Sequence, residues 1–441
     1  MLKLISQWKM RLAKTGSLQK FLAKAIAGTF GLKVVNAALL YLNSLLLAHT
    51  LGAKGFGIYS YASAWTYLLL IPSALGLEGL ILREIAVYKT QSKWGLVKGL
   101  LGWSNGIVLL NSIAIAILTA IGFWLFSSPE NIETTSVILI ALLAVPADAL
   151  TRLRQPAMRA IDSIVMGQLP EAIIRPLLLS LFLLASVLFL DELDVSLAVM
   201  VKVGAAIVTC IAGELLLRAC VSKQIKNFRP VYQPKIWFKS ALPMLLIGSM
   251  YVVNGQTDTI MLGTLSNPEA VGIYTVANRG AALITFVLMA FDTSIAPTFA
   301  NLYTKGELEK LQKIVTQSCQ AIFAIALLMT IVLIVFGNWL LLMFGSEFVR
   351  GHLVLSILSI GQLVNAFTGS VALLLIMTGF DKYTAIGVGI SAVLNIILNA
   401  IFIPLWNAEG AAIATATSMI CWNIILVYFA QQKLKIKSIP F

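Results

Sequence analysis

Predominantly apolar stretches follow one another along nearly the whole chain, separated by short loops. Each is long enough, at about 20 residues, to cross a ~30 Å hydrocarbon core as a helix. Of 441 residues, 59% are apolar and 12% charged, too little charge to cover a water-soluble protein of this length. We place the stretches at residues 25–50, 58–82, 100–126, 136–155, 172–190, 195–217, 240–263, 271–297, 320–344, 353–379, 384–404 and 410–431. The expectation is an all-α polytopic membrane protein of twelve transmembrane helices with no sizeable soluble domain. Asp148, Arg175 and Asp258 interrupt the fourth, fifth and seventh. A basic linker at 218–239, with Pro230 and Pro234, separates a six-helix lobe at 25–217 from a second at 240–431. A basic tail at 432–441 completes the plan.

The net charge of +13 acquires meaning once it is located. Of 32 Lys and Arg, 27 fall on the side of the two termini, including Lys89, Arg152, Arg159, Arg175, Lys226 and Lys305. The opposite side carries Lys54, Arg350 and a snorkelling Lys202, against Glu130, Glu133, Asp191, Glu192, Asp194, Glu269, Glu347 and Glu409. Positive charge stays on the cytoplasmic face, so both termini are expected there. This excess reports topology and calls for no nucleic-acid partner. Residues 1–24 hold six bases and no acid among Leu4, Trp8, Leu12 and Phe21, which reads as an amphipathic cytoplasmic interface helix, not a cleaved signal. Cys210, Cys220, Cys319 and Cys421 imply no disulfide framework.

An internal repeat lies within this plan. Leu51-Gly52 followed by Gly57-Ile58-Tyr59-Ser60-Tyr61-Ala62 recurs as Leu262-Gly263 followed by Gly272-Ile273-Tyr274-Thr275-Val276-Ala277. Each copy joins the first two helices of its half. With an even number of spans per half, the two halves enter the membrane from the same side and flank a central cavity. Gly102-Trp103-Ser104-Asn105-Gly106 has the spacing of a nucleophile elbow, but it sits in a long apolar helix and reads as helix-packing glycines. No phosphate-binding loop and no Cys/His cluster occurs. No catalytic constellation, resident metal or cofactor is therefore expected.

Ions inside spans need partners or water, because each costs about 2.5–3.5 kcal/mol at a helix centre. Asp148 with Arg152 and Glu214 with Arg218 are spaced as local i,i+4 pairs. Lys33, Glu78, Asp258, Arg279 and Asp292 remain, all on helices one, two, seven and eight. By depth, Asp258 and Arg279 are expected to pair across one hairpin, and Lys33 and Glu78 across the other. Asp292 has no local partner and reads as facing a wet cavity, binding a coupling cation or capping a kink before Pro297. Asn36, Asn43, Asn105, Asn111, Asn254 and Gln256 supply interhelical hydrogen bonds that would also suit a sugar. Trp103, Trp124, Trp237, Trp339 and Trp406 read as an interfacial belt.

The repeat motifs, Leu75-Gly76-Leu77 followed by Arg83-Glu84-Ile85-Ala86, and Asp258 preceding Arg279 resemble the polysaccharide branch, O-antigen type, of the multidrug/oligosaccharidyl-lipid/polysaccharide flippase superfamily. So does the late block Asn395-Ile396-Ile397-Leu398-Asn399, Ile403-Pro404 and Gly410-Ala411-Ala412-Ile413-Ala414-Thr415. The resemblance implies a two-lobed transporter that opens alternately to either side. Its substrate would be an isoprenoid-pyrophosphate-linked oligosaccharide crossing a bacterial plasma (inner) membrane, with membrane lipids and polysaccharide assembly machinery as partners. Lys33, Arg279, Asn36, Asn43 and Glu78 are the expected substrate-binding residues, with Lys33 and Arg279 holding the pyrophosphate. Asp258 and Asp292 are expected to take a coupling proton or sodium ion, or to serve in structural pairs. A cation-coupled exporter of small amphiphiles is the alternative within this architecture. A membrane glycosyltransferase or polymerase would need a larger outer loop or a carboxylate and His cluster.

Overall fold

The structure, a computed structural model, describes residues 2–126, 132–189, 193–225 and 228–440, with side chains from residue 31 onward except 187, 222–225, 246, 247 and 251. The expectations for Glu130, Asp191, Glu192, Lys226 and the side chains of residues 1–24 lie outside this set. The elements are α1 (Leu2–Ala74), α2 (Leu77–Thr90), α3 (Trp94–Leu125), α4 (Ile132–Leu142), α5 (Val145–Ala160), α6 (Ile164–Leu169), a π-helical turn (Pro170–Ile174), α7 (Arg175–Phe189) and α8 (Val195–Ile225). The second half comprises α9 (Pro234–Leu265), α10 (Pro268–Thr304), α11 (Leu308–Leu342), a 3-10 turn (Ser346–Gly351), α12 (His352–Phe367), α13 (Val371–Met377) and α14 (Asp381–Leu434).

Among the described residues eight helices are long and apolar enough to cross a membrane, or ten when each bent pair counts as one. One runs for 44 residues (Gly31–Ala74) and one for 54 (Asp381–Leu434). At ~1.5 Å per residue either would span the hydrocarbon core at least twice. Both contain non-helical backbone, at Gly52 in α1 and at Trp406 and Asn407 in α14. These breaks fall where the hydropathy places loops, which is consistent with twelve passes. The charge-interrupted spans are the distorted ones: α4 and α5 meet at 41°, the π-helical turn precedes Arg175, and α9 bends by 49°.

The two repeat motifs meet. A Cβ on Gly57 would lie 1.7 Å from the Pro268 carbonyl oxygen, and one on Gly272 would lie 2.1 Å from that of Ala53. Only glycine permits this backbone approach. Phe56, Ile58, Tyr274, Phe344 and Phe348 are buried around it. Polar contacts reinforce the same end. Ala53 N–H donates to Glu347 Oε2 at 2.7 Å, across the two halves. Lys54 pairs with Glu133 in the first half and Arg350 with Glu269 in the second, each at 2.9 Å, so the repeat keeps the bridge but reverses its polarity. Exposed pairs of this kind contribute about 0–1 kcal/mol, and the apolar seam supplies most of the closure. We call this the hairpin end.

Several expectations require correction. The second apolar stretch does not run to residue 82: Leu75 (φ 54°) and Gly76 (φ 70°) turn the chain at the end of α1. A Cβ on Gly76 would meet the Ala241 carbonyl oxygen at 2.6 Å, so this turn lies against α9. Gly102 and Gly106 do not mediate close helix contact, since a Cβ on Gly106 would meet nothing within 4 Å; the close approach is at Gly99, against the Val231 carbonyl of the linker. Trp237 is fully buried, donating to Tyr88 Oη at 3.0 Å, while Trp124, Trp339 and Trp406 fit the expected belt. The linker is thereby clamped to the first half, where Lys98 also donates to the Phe228 carbonyl. The terminal tail is docked too: Ile436, Ser438 and Pro440 are buried, and the Gln312 amide brackets the Lys437 peptide.

Candidate functional site

A cavity of about 580 Å³ lies in the first half. Its walls are helix faces spaced by one turn: Asn36, Leu40, Asn43 and Leu47 before the Gly52 break, and Tyr59, Ser63, Tyr67 and Leu70 after it. Arg279 from α10 completes it from the second half. The seam at Gly57 and Gly272 closes the hairpin end, and the far end reaches the exposed Arg159. The lining holds five bases (Arg152, Arg159, Arg175, Lys202, Arg279) and three acids (Glu78, Asp148, Glu171).

Pairing divides the bases into two groups. Arg175 grips Asp148 through one hydrogen bond, Nη2 to Oδ2 at 3.0 Å, and a second ion-pair contact of Nη1 with Oδ1 at 2.8 Å, a charge-assisted fork. Arg152 approaches Glu78 at 3.4 Å. The other three, Lys202 and Arg279 on the inner walls and Arg159 exposed at the far end, have no carboxylate within 4.0 Å among the described residues. Lys202 Nζ donates to Ser63 Oγ at 2.6 Å and lies over the Tyr59 and Tyr67 rings. Arg279 donates to the Leu40 carbonyl at 3.2 Å and lies over the Phe56 ring. Ring faces stabilise a cation without neutralising it. Two cations are thus held facing a cavity with charge left to offer an anion.

The local sequence explains how this wall is built. Pro176 lacks an N–H, which frees the carbonyl one turn earlier, at Ala172; Asn36 Nδ2 donates to that carbonyl at 2.9 Å. Asn43 Nδ2 donates to the Pro176 carbonyl, and Ser180 Oγ donates to Asn43 Oδ1. The two asparagines therefore rivet α1 to the distorted helix that presents Arg175.

The expected site residues are partly brought together. Arg279, Asn36, Asn43 and Glu78 share the cavity, but Lys33 is absent from its lining. Lys33 does not pair with Glu78; it lies close enough to Asp292, across the two halves, to act on its charge. Asp292 Oδ1 is buried without a partner. The expected Asp258–Arg279 pair does not form. Asp258 accepts from Tyr274 (2.7 Å), Thr415 (2.6 Å), Asn395 (3.0 Å) and Asn399 (2.7 Å). Tyr274 and Arg279 are five residues apart and so point about 140° apart around α10. With Tyr274 on Asp258, Arg279 faces the cavity.

Asp148 pairs with Arg175 and not with Arg152, whereas Glu214 does hold Arg218 and additionally Arg154. The expected interhelical role holds for Asn105, which accepts from Arg154, for Asn111, which donates to Pro72, and for Asn254, which donates to Val388. Sequence reasoning missed Lys202, which turns inward, and it missed the cavity role of Arg175. The usable signal was the Tyr59, Ser63, Tyr67 stripe, a polar face on an otherwise apolar helix.

Residues 22–303 match the family described as polysaccharide biosynthesis protein, and residues 243–401 match MatE. The chain is 24% identical over 431 residues to a protein named probable low-salt glycan biosynthesis flippase Agl15 of Haloferax volcanii, covering 94% of this chain and 85% of that one. It is 32% identical over 174 residues to the probable flippase AglR of the same organism, a match spanning 38% of this chain and 36% of that relative. Among solved structures, the lipid II flippase MurJ in an inward closed conformation superposes with a TM-score of 0.71 at 14% identity, over 93% of this chain and 87% of that one. That likeness establishes the fold. With a family match extending over residues 22–303 of 441, the chain belongs to the polysaccharide biosynthesis protein family of the multidrug/oligosaccharidyl-lipid/polysaccharide flippase superfamily.

Proposed function

We propose that this protein is a glycan-lipid flippase, moving an oligosaccharide on an isoprenoid pyrophosphate between the leaflets of a plasma membrane by alternating access. The observation that carries this reading is the basic cavity with two uncommitted cations, Lys202 and Arg279. A pyrophosphate is the part of such a substrate that membrane interior most strongly rejects. Arg279 can take two oxygens in a fork while Lys202 acts as a point charge. Arg175 stays occupied by Asp148, which keeps the grip weak enough for release. The flippase names of the relatives support the substrate class.

Arg279→Gln and Lys202→Gln are each expected to lower flipping by tenfold or more, about 1.4 kcal/mol of lost charge-assisted binding, with folded yield retained. Arg279→Lys should keep partial activity, and Lys33→Gln should have the smaller effect. Transport assays on normally expressed protein check this. Full activity in both Gln variants would remove the cavity from the mechanism. Deleting the gene should cause lipid-linked oligosaccharide to build up in the cytoplasmic leaflet. Normal surface glycan together with new drug sensitivity would point instead to export of small amphiphiles.

Sidedness follows from the basic bias: the cavity faces the cytoplasm and the hairpin end faces outward. Impermeant labelling of cysteines introduced at Lys305 and Lys437 is expected from the cytoplasmic side only, and at Glu347 from the outside only. Labelling of Lys305 and Glu347 positions from one side would overturn the topology.

Coupling is assigned to the Asp258 cluster. Asn399 Oδ1 is buried there without a partner, so the donor set fits a further ligand. Asp258, Thr415 and the amide oxygens of Asn395 and Asn399 would hold a proton or a sodium ion, which would supply positive charge against the carboxylate. Ion-dependent transport lost in Asp258→Asn tests this assignment.

A further inference from the structure

We propose that a second cavity, at the hairpin end, holds uncharged sugar rings of the transported glycan, an inference that rests on the flippase reading. The cavity measures about 510 Å³, within the range of roughly 300–1,000 Å³ typical of ligand pockets. It lies on the opposite face of the same helix segment that lines the basic cavity: Tyr59 and Ser63 face one, Tyr61 and Trp65 the other. Its chemistry is different. None of its lining residues is Asp, Glu, Lys, Arg or His, whereas eight charged residues line the first.

Two features point to a sugar. Tyr61, Trp65 and Phe123 form a continuous aromatic wall, with ring centroids 6.4 and 5.2 Å apart in edge-to-face contacts. Around it stand Thr134, Thr264 and Ser266. A sugar ring offers an apolar C–H face to aromatic rings and hydroxyls at its rim to satisfy such groups. A phosphate would find no countercharge there.

The walls come from both halves. Gly263, Thr264, Ser266 and Pro268 belong to the second-half hairpin, the Tyr61 ring lies against Gly263, and Pro268 is the residue whose carbonyl packs on Gly57. The cavity is therefore intact only while the seam is closed, and a ligand in it favours the closed seam. Sugar rings that have crossed would bias the protein back toward the state that accepts the next substrate.

The test uses the full chain in phosphatidylcholine and phosphatidylglycerol vesicles free of glycolipid, with two readouts. In the first, neutral gluco-, galacto- and manno-oligosaccharides at tens of millimolar are titrated against tryptophan fluorescence. A saturable change is expected, absent in Trp65→Phe and weakened roughly tenfold in the Thr134→Val/Thr264→Val double variant, as the loss of two hydrogen bonds implies. In the second, flipping of the full lipid-linked glycan is compared with that of the same lipid carrying one sugar. The double variant should slow the first roughly tenfold and leave the second unchanged. Equal effects on both substrates, faster flipping in the valine variant, or no fluorescence response to any oligosaccharide would overturn the proposal. A defect that appears only when digalactosyl diacylglycerol is added would assign the cavity to a membrane glycolipid and would overturn it as well. Sugar binding without any flipping by the wild type would retain the site and refute the flippase reading.

Discussion

Gly57→Ala is expected to open the hairpin end and invert the accessibility of the basic cavity. The alanine Cβ would sit 1.7 Å from the Pro268 carbonyl oxygen, a distance no packing adjustment of a side chain can relieve because the obstacle is backbone. The two halves must part there, and Glu347 then loses the Ala53 N–H it holds at 2.7 Å. A change of roughly 5 kcal/mol turns a 99:1 preference for one state into 1:99, and a backbone overlap of this depth is of that order. With the four native cysteines replaced, Leu40→Cys in the cavity wall should label from the terminal side in the parent and from the hairpin side in the Gly57→Ala variant. Gly272→Ala, whose Cβ would meet the Ala53 carbonyl at 2.1 Å, should behave alike if the first variant folds poorly. Unchanged labelling in both, with normal thermal stability, would mean that the seam is not the barrier.

Asp258→Leu is expected to lower folding stability by about 3–5 kcal/mol, since it strips a buried carboxylate from four donors, one on α10 and three on α14. Tyr274 and Thr415 can turn their hydroxyls elsewhere, but the Asn395 and Asn399 amides are fixed on α14 and lose their charged acceptor, keeping only neutral ones at 3.0–3.4 Å. Asp258→Asn should fall between, because an amide presents only one accepting oxygen. Thermal unfolding in nanodiscs measures both. The Asp258→Asn/Arg279→Gln double variant provides a sharper check. The two residues share no contact, so their effects should add to within about 0.5 kcal/mol. A double variant more stable than either single one would restore the ion pair that the structure lacks.

The membrane-spanning, all-helical character of this chain was legible residue by residue. Hydropathy is a local property summed over about 20 positions, and it survived every bend, including the α4–α5 and α9 kinks. The repeat was legible for the same reason, as was the pairing of Glu214 with Arg218 one turn away. What the linear sequence left undecided was direction. A helix turns its side chains about 100° per residue, so an error of one or two positions in its rotation exchanges a cavity face for a lipid face. Lys202 thereby moved from a snorkelling cation to a cavity wall, and Arg279 from an ion pair to an uncommitted charge. The Asp148–Arg175 fork spans 27 positions and depends on the π-helical turn and Pro176 between them, and no periodicity encodes it. The close approach of Gly57 to Gly272 joins residues from the two repeats, visible as a motif in each copy but as a contact only once the halves pack. Apolar length and charge bias determined that this protein spans a membrane and how its helices are ordered. Helix rotation and long-range packing, which depend on every neighbour at once, decided which charges face the cavity and where the two halves close.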